Sequence, residues 1–256
     1  MMKNLKKAWQ AFKNNKKYLV LVIVLEIIFL IALTQIHLVF FKPTAEAAMI
    51  IGEQMTATIE KLSETEFTEL NTLLLENEEF RTAYHSLLKY LAYFILSMLG
   101  AWIIFKTPIW YLAHKTIYNK MPFATHAIKF ILLSLFWFAI LMVLLIASTA
   151  QMPTTIIATV SMLIFLVIFY FTQISFSLIP AQQTFKKTFI LGVKHARQIL
   201  PAYIFNIILA TITIALPFIW IKTIPMLSLA IIIIITIPSL AFARLNIIVA
   251  TWQKRT

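Results

Sequence analysis

Residues 130–185 read FILLSLFWFAILMVLLIASTAQMPTTIIATVSMLIFLVIFYFTQISFSLIPAQQTF, and these 56 residues contain no Asp, Glu, Lys, Arg or His. A helix needs about 20 largely apolar residues to cross a bilayer core of roughly 30 Å. The run is long enough to cross twice, and its one turn-like break lies between Ala147 and Thr155, around Met152-Pro153. A run of this length and composition fits no soluble domain. It sets the expected fold class as all-α, a polytopic bundle of membrane-spanning helices.

The rest of the chain agrees. Hydrophobic residues make up 61% and charged residues 12%, against roughly 45–50% and about 25% in soluble domains. Glycine occurs only at Gly52, Gly100 and Gly192, so no Gly-rich phosphate loop and no Gly-xxx-Gly packing motif can be built. Cysteine is absent, which removes disulfides, thiol nucleophiles and Cys-ligated metals. Aspartate is absent too, and nine of the ten glutamates lie between Glu46 and Glu79. A net charge of +12 would point a soluble protein toward nucleic acid. Here the cations sit in short segments beside apolar spans, so anionic lipid headgroups are the expected partner, together with a membrane-protein partner and no nucleic acid.

Six spans are expected, at roughly 18–41, 87–112, 130–149, 154–179, 199–221 and 224–243, within a single domain over 1–256. In the second, Lys89 and Lys106 lie near the ends, where long side chains can snorkel to headgroups. The last two are separated by Lys222 and Thr223 alone, which demands a tight turn. Orientation follows from the cations. Six lysines lie between Lys3 and Lys17; Lys115, Lys120 and Lys129 follow span two; Lys186, Lys187, Lys194 and Arg197 follow span four; Lys254 and Arg255 end the chain. With six spans all four groups fall on one side, so both termini are expected in the cytoplasm of a multi-pass plasma-membrane protein. The 24-residue first apolar run exceeds a signal-peptide core of about 7–15 residues, so cleavage after it is not expected.

Residues 43–86 form the acidic outer segment, expected as a small helical cap docked on the bundle. Ile51, Met55, Ile59 and Leu62 share a helix face. Ser63-Glu-Thr-Glu66 reads as a capping box opening a second helix that contains Phe67, Leu70 and Leu74, and Asn77 can cap a third flowing into span two. Glu76, Glu78, Glu79 and His85 could gather around a cation. Their spacing matches no calcium loop, and solvation of a helical surface explains them better.

The chain also repeats weakly, as a basic segment followed by two spans, three times over. Pro108, Pro180 and Pro238 are expected to turn the chain out of a span, each followed by basic residues. Two basic segments are amphipathic. Phe185, Phe189, Val193, Ala196 and Leu200 oppose Lys186, Lys187, Lys194 and Arg197, and Leu5, Trp9 and Phe12 form a stripe opposed mostly by lysines, Lys6 and Lys7 among them. Helices of this kind lie in the interface, so Lys6, Lys7, Trp9, Lys186, Lys187, Lys194 and Arg197 are the expected lipid-contacting residues.

Two of these segments, AWQAFKNNKKYLVLVI (8–23) and FKKTFILGVKHARQILPAYI (185–204), carry a resemblance. The chain resembles a broad group of uncharacterised six-span bacterial and archaeal membrane proteins. That group includes the membrane domain attached to some glycerophosphodiester phosphodiesterases. The resemblance covers most of the chain except the Glu-rich loop and implies the six-span fold. It brings no catalytic domain and no catalytic residues.

Glu26 is the only acid within a span, where a carboxylate costs roughly 2.5–3.5 kcal/mol unless protonated or paired. The repeat offsets place Glu26, Ser134 and Asn206 at equivalent depths in spans one, three and five. They form the candidate intramembrane polar cluster, with Glu26 protonated and bonded to Asn206. No His-x-x-x-His, metal-ligand spacing or nucleophile–base pair is present, so no catalytic residue, metal or cofactor is expected. The leading expectation is a non-enzymatic protein of scaffold, assembly or envelope-maintenance type. The alternative is a small-solute or lipid transporter using the polar layer around Glu26.

Overall fold

The structure is a computed structural model that describes residues 2–61, 74, 76–117, 121–149, 155–220 and 225–252. The described residues are almost wholly helical, with no strand among them. In chain order they are α1 (Met2–Asn14), α2 (Lys16–Ile36), a π-helical turn (His37–Phe41), α3 (Lys42–Lys61), α4 (Glu78–Ile117), α5 (Phe123–Thr149), α6 (Thr155–Ser177), α7 (Thr184–Lys194), α8 (Ala196–Trp220), α9 (Pro225–Ile231), a second π-helical turn (Ile232–Thr236) and α10 (Ile237–Trp252). Six stretches are long and apolar enough to cross a membrane: Lys16–Glu60, Glu78–Ile117, Phe123–Ala147, Thr159–Ser177, Ala196–Pro217 and Ile232–Trp252. The chain is an all-α, multi-pass membrane protein by this measure.

The helices divide into two compact units, residues 1–27 with 103–256, and residues 28–102. In the first, α10 is the hub, packing against α1, α6 and α8. Its buried face carries Ile237, Ala241, Leu245, Ile247, Ile248 and Thr251. Alanine and threonine let neighbouring backbones approach, which is how membrane helices gain contact where lipid removes the hydrophobic drive. Trp9 and Phe12 of α1 pack edge-on against Phe242 of α10, at ring separations of 6.0 Å each. Close approach also governs α7. The Tyr170 hydroxyl donates to the Gly192 carbonyl at 3.0 Å, and a Cβ at Gly192 would meet Phe171 Cε1 at 2.5 Å.

Within the second unit α3 and α4 are tied by polar side chains. Gln54 donates to Glu79 at 2.8 Å and accepts from the Asn77 amide at 3.0 Å. Asn77 Oδ1 accepts the Phe80 N–H at 3.1 Å, an N-cap that satisfies an otherwise orphan donor of α4.

Several expectations are corrected. The first span does not stop near Phe41, because the π-helical turn carries it straight into α3 with Pro43 inside the helix. A π turn shifts the hydrogen-bond register by one residue and so accommodates such a position. In the described part of 43–86, α3 thus extends the first span rather than forming a separate small helix, while α4 opens at Asn77 and flows into span two as expected. The buried face of α3 carries Ala47, while Met55 and Ile59 stay exposed. The capping box at Ser63–Glu66, with Phe67 and Leu70, lies outside the described residues, as does the turn at Lys222-Thr223. Of the three prolines, only Pro180 stands in a turn. Pro108 lies inside α4 and Pro238 inside α10. Membrane helices tolerate such prolines because neighbours and local adjustment re-satisfy the freed carbonyls. Consequently the last span does not end at Ala243 but runs to Trp252, which draws Arg244 inside it.

Candidate functional site: a buried ionic cluster

Glu26 lies on α2, ten residues beyond its start at Lys16. Lys106 precedes the end of α4 by eleven residues, and Arg244 precedes the end of α10 by eight. At 1.5 Å per residue each sits roughly 12–17 Å from the end of its helix. This shared depth lets one carboxylate meet two cations. Lys106 Nζ donates to Glu26 Oε2 at 2.5 Å, and Arg244 Nη2 donates to Glu26 Oε1. Glu26 is 3% exposed, and the side chains of Lys106 and Arg244 are 9% and 11% exposed.

Chemically this is a strong arrangement in a poor solvent. Low dielectric raises the attraction between ion-pair members and also the cost of leaving any of them bare. Two charge-assisted bonds use one on each carboxylate oxygen, which fixes the rotations of α2, α4 and α10 about their axes. Val22, Ile109, Leu112 and Ala241, one to two turns away along the same three helices, form an apolar cluster with Phe12, Tyr18, Leu19 and Leu25 packed against it. Arg244 also borders a small cavity of about 20 Å³, room for one water molecule, beside Asn15, Tyr18 and Thr116.

The expected grouping of Glu26, Ser134 and Asn206 is not what the structure assembles. Asn206 donates to the Ala243 carbonyl at 2.8 Å and accepts from Asn246 Nδ2 at 2.9 Å. Ser134 is buried on α5 with its hydroxyl unpaired among the described residues. The repeat offsets compared outbound spans with one another. The bonds instead join an outbound span to a returning one, since antiparallel neighbours present side chains at equal depth. Lys106 does not snorkel to a helix end either, because Glu26 offers it a nearer partner.

A second polar cluster, which no sequence spacing announced, joins α4, α5 and α6. His114 Nδ1 lies 3.1 Å from His126 Nε2, and His114 Nε2 lies 3.2 Å from the Ser177 carbonyl. Lys129 donates to the carbonyls of Ile179 and Ala181 at 3.2 and 2.8 Å, just past the C-terminus of α6. A cation there complements the helix dipole. Trp137 Nε1 donates to Ser175 Oγ at 2.8 Å.

Of the expected interfacial residues, Lys6, Lys7, Trp9, Lys186, Lys194 and Arg197 are exposed and Lys187 is half-buried. Phe185, Phe189 and Val193 also face outward, while Thr184, Thr188, Leu191 and Gly192 form the buried face of α7. A turn at His195 separates α7 from Ala196 and Leu200, which belong to α8. In the outer segment Glu76, Glu78, Glu79 and His85 are exposed, with Glu79 held by Gln54. No group of three or more His, Cys, Asp or Glu among the described residues could hold a metal. Comparison with known proteins finds no matching family model, no matching curated protein and no matching solved structure.

Proposed function

We propose that this is a non-enzymatic membrane protein of scaffold, assembly or envelope-maintenance type, in which the Glu26 cluster clamps three spans together. One observation carries the reading: both oxygens of the buried Glu26 carboxylate are engaged by cations of the same compact unit. A proton- or solute-coupling acid must exchange partners with water or substrate. Glu26 is occupied and buried, and the cavity beside Arg244 is only about 20 Å³. The transporter alternative asks for a hydrated path at mid-depth, as half-helix and cavity architectures provide.

The same reading places the protein in the plasma membrane with both termini cytoplasmic. Its basic helices α1 and α7 then lie against anionic headgroups, with Trp9, Phe185 and Phe189 in the acyl boundary. It also keeps the chain with the six-span group it resembles. Reconstitution tests the function. Vesicles carrying the protein should pass protons and small solutes no faster than empty vesicles of the same lipid. A flux that Glu26→Gln abolishes while the fold survives would overturn the scaffold reading in favour of transport. Reporters fused at Met1 and Thr256 should both read cytoplasm, and one at Glu64 should read outside. An exterior carboxy terminus would break the orientation.

A further inference from the structure

The joint between α4, α5 and α6 turns on two imidazoles with no acid to answer them. His114 is 2% exposed and His126 is fully buried, among the rings of Trp110, Tyr111 and Phe130. The Ser177 carbonyl only accepts, so the hydrogen bonds run one way. His126 Nε2–H donates to His114 Nδ1 at 3.1 Å, and His114 Nε2–H donates to Ser177 at 3.2 Å. Both rings are neutral in that order. His126 Nδ1 is left buried with no partner among the described residues, the one ring nitrogen of the pair still able to take a proton.

A proton arriving there finds no counter-charge in its unit. Glu26 is the only acid in residues 1–27 and 103–256, since the chain has no Asp and its other nine glutamates lie between Glu46 and Glu79. Both Glu26 oxygens are already engaged by Lys106 and Arg244. The charges that face the pair are positive. Lys129 stands three residues beyond His126 on α5, and Lys115 follows His114 on α4, 5.8 Å from the centre of the Tyr111 ring. α6 brings no Asp, Glu, Lys, Arg or His. Water is the remaining source of stabilisation for an imidazolium, and a buried cation without it is costly. Both histidines lie just beyond the apolar runs expected at 87–112 and 130–149, which sets them at the ends of their spans rather than at mid-depth. We propose that the His114–His126 pair is an acid-operated latch, in which a proton taken up at His126 turns that ring out to water and frees α4 from α5 and α6. Lys129, bonded to the Ile179 and Ala181 carbonyls, keeps α5 with the end of α6 throughout.

Acid is the trigger because opening takes up protons, an imidazole in water being half-protonated at about pH 6.5. Between pH 7.5 and 5.0 each imidazole released to water raises the open-to-closed ratio roughly 30-fold. The test uses the full chain, which has no cysteine of its own, in neutral detergent with nitroxides on Ile117→Cys and Gln182→Cys. Ile117 is half-buried at the end of α4, and Gln182 is exposed just past α6. Distances by electron–electron resonance should form one narrow distribution at pH 7.5 and gain a longer component at pH 5.0. A second pair, Thr125→Cys with Gln182→Cys, reports the α5–α6 contact and should stay narrow at both. His126→Gln keeps an N–H for His114 and takes up no proton, so its Ile117–Gln182 distribution should not respond to acid. His37, His85 and His195 remain in that variant, so a response retained there would come from elsewhere and overturn the proposal. Unchanged distances at pH 5.0 with both histidines present would overturn it too, as would equal lengthening of the Thr125 pair. If His126→Gln does not fold, imidazole NMR of the unsubstituted chain decides. The His126 signal should turn from neutral to protonated as the longer component grows, and either change without the other sinks the latch.

Discussion

The ionic cluster at Glu26 and the histidine cluster at His114 each fasten three helices, and α4 belongs to both. Lys106 and His114 lie eight residues apart along it, about 12 Å. They solve the same problem, polar groups among apolar helices, in different currencies. At Glu26 the bonds are between full charges, so the attraction is large and the penalty for removing one member is larger still. At His114 the partners are neutral. The Ser177 carbonyl can only accept, so His114 Nε2 carries the proton and Nδ1 accepts from His126 Nε2–H. That ordering leaves His126 Nδ1 as a bare acceptor, and it is indeed buried without a partner among the described residues. The first cluster concentrates stability in three side chains, whereas the second spreads smaller amounts over imidazoles, carbonyls and Lys129.

The largest effect should come from breaking the charged cluster at its centre. Glu26→Leu strands two buried cations and should cost about 3–5 kcal/mol, read as a fall in detergent unfolding temperature or as failure to accumulate. Replacing Glu26, Lys106 and Arg244 together by leucine or methionine should recover most of that loss, because no charge is then left bare. If the single and triple variants are equally unstable, the cluster contributes through packing and the contrast with the histidines collapses.

His114→Phe should cost less, about 1–3 kcal/mol, since it orphans the Ser177 carbonyl and the His126 N–H in a buried site. His126→Phe should be milder than His114→Phe. It removes a ring whose Nδ1 is already unsatisfied and leaves His114 bonded to Ser177. A reversed order would show that the proton sits on the other nitrogens. A purely steric reference is Gly192→Ala, whose Cβ meets Phe171 at 2.5 Å. Overpacking of this kind costs about 1–3 kcal/mol, and the low end is expected because Phe171 can rotate aside.

How much of this could be read in the chain varies by region. The spans over 130–185 were plain, because an unbroken apolar run has one physical meaning. Glu26 was also conspicuous, as a lone acid in a span must have a partner. The identity of that partner was not legible. Arg244 is 218 residues away, and its pairing depends on which helices are neighbours and how each is rotated. The repeat pointed to Asn206 by equating outbound spans, and Lys106 looked like a residue near a helix end. One signal was available: Glu26, Lys106 and Arg244 stand at similar distances from the helix ends nearest the basic segments, which was the better guide to a shared layer. The histidine pair left no trace of this kind, since residues twelve apart match no ligand spacing.

The smallest effect tests whether neutral amide pairs behave like the histidines rather than like Glu26. Asn246 donates one bond to Asn206 at 2.9 Å, while its own Oδ1 is buried and unpaired among the described residues. Interhelical bonds of this type contribute about 0.6–2 kcal/mol in membranes. Asn246→Leu deletes that bond but also removes the unsatisfied oxygen, so the two changes oppose one another and the net loss should be about 0.5–1 kcal/mol. Asn206→Leu deserts both the Ala243 carbonyl and the Asn246 amide with no such relief, and should cost about twice as much. The double variant should lose less than the sum of the singles, because the shared bond can be lost only once. Additive losses would mean that Asn206 and Asn246 act independently. In that case the last span is held to the fifth by packing, by Asn206 on the Ala243 carbonyl and by the Thr236 hydroxyl on the Thr213 carbonyl.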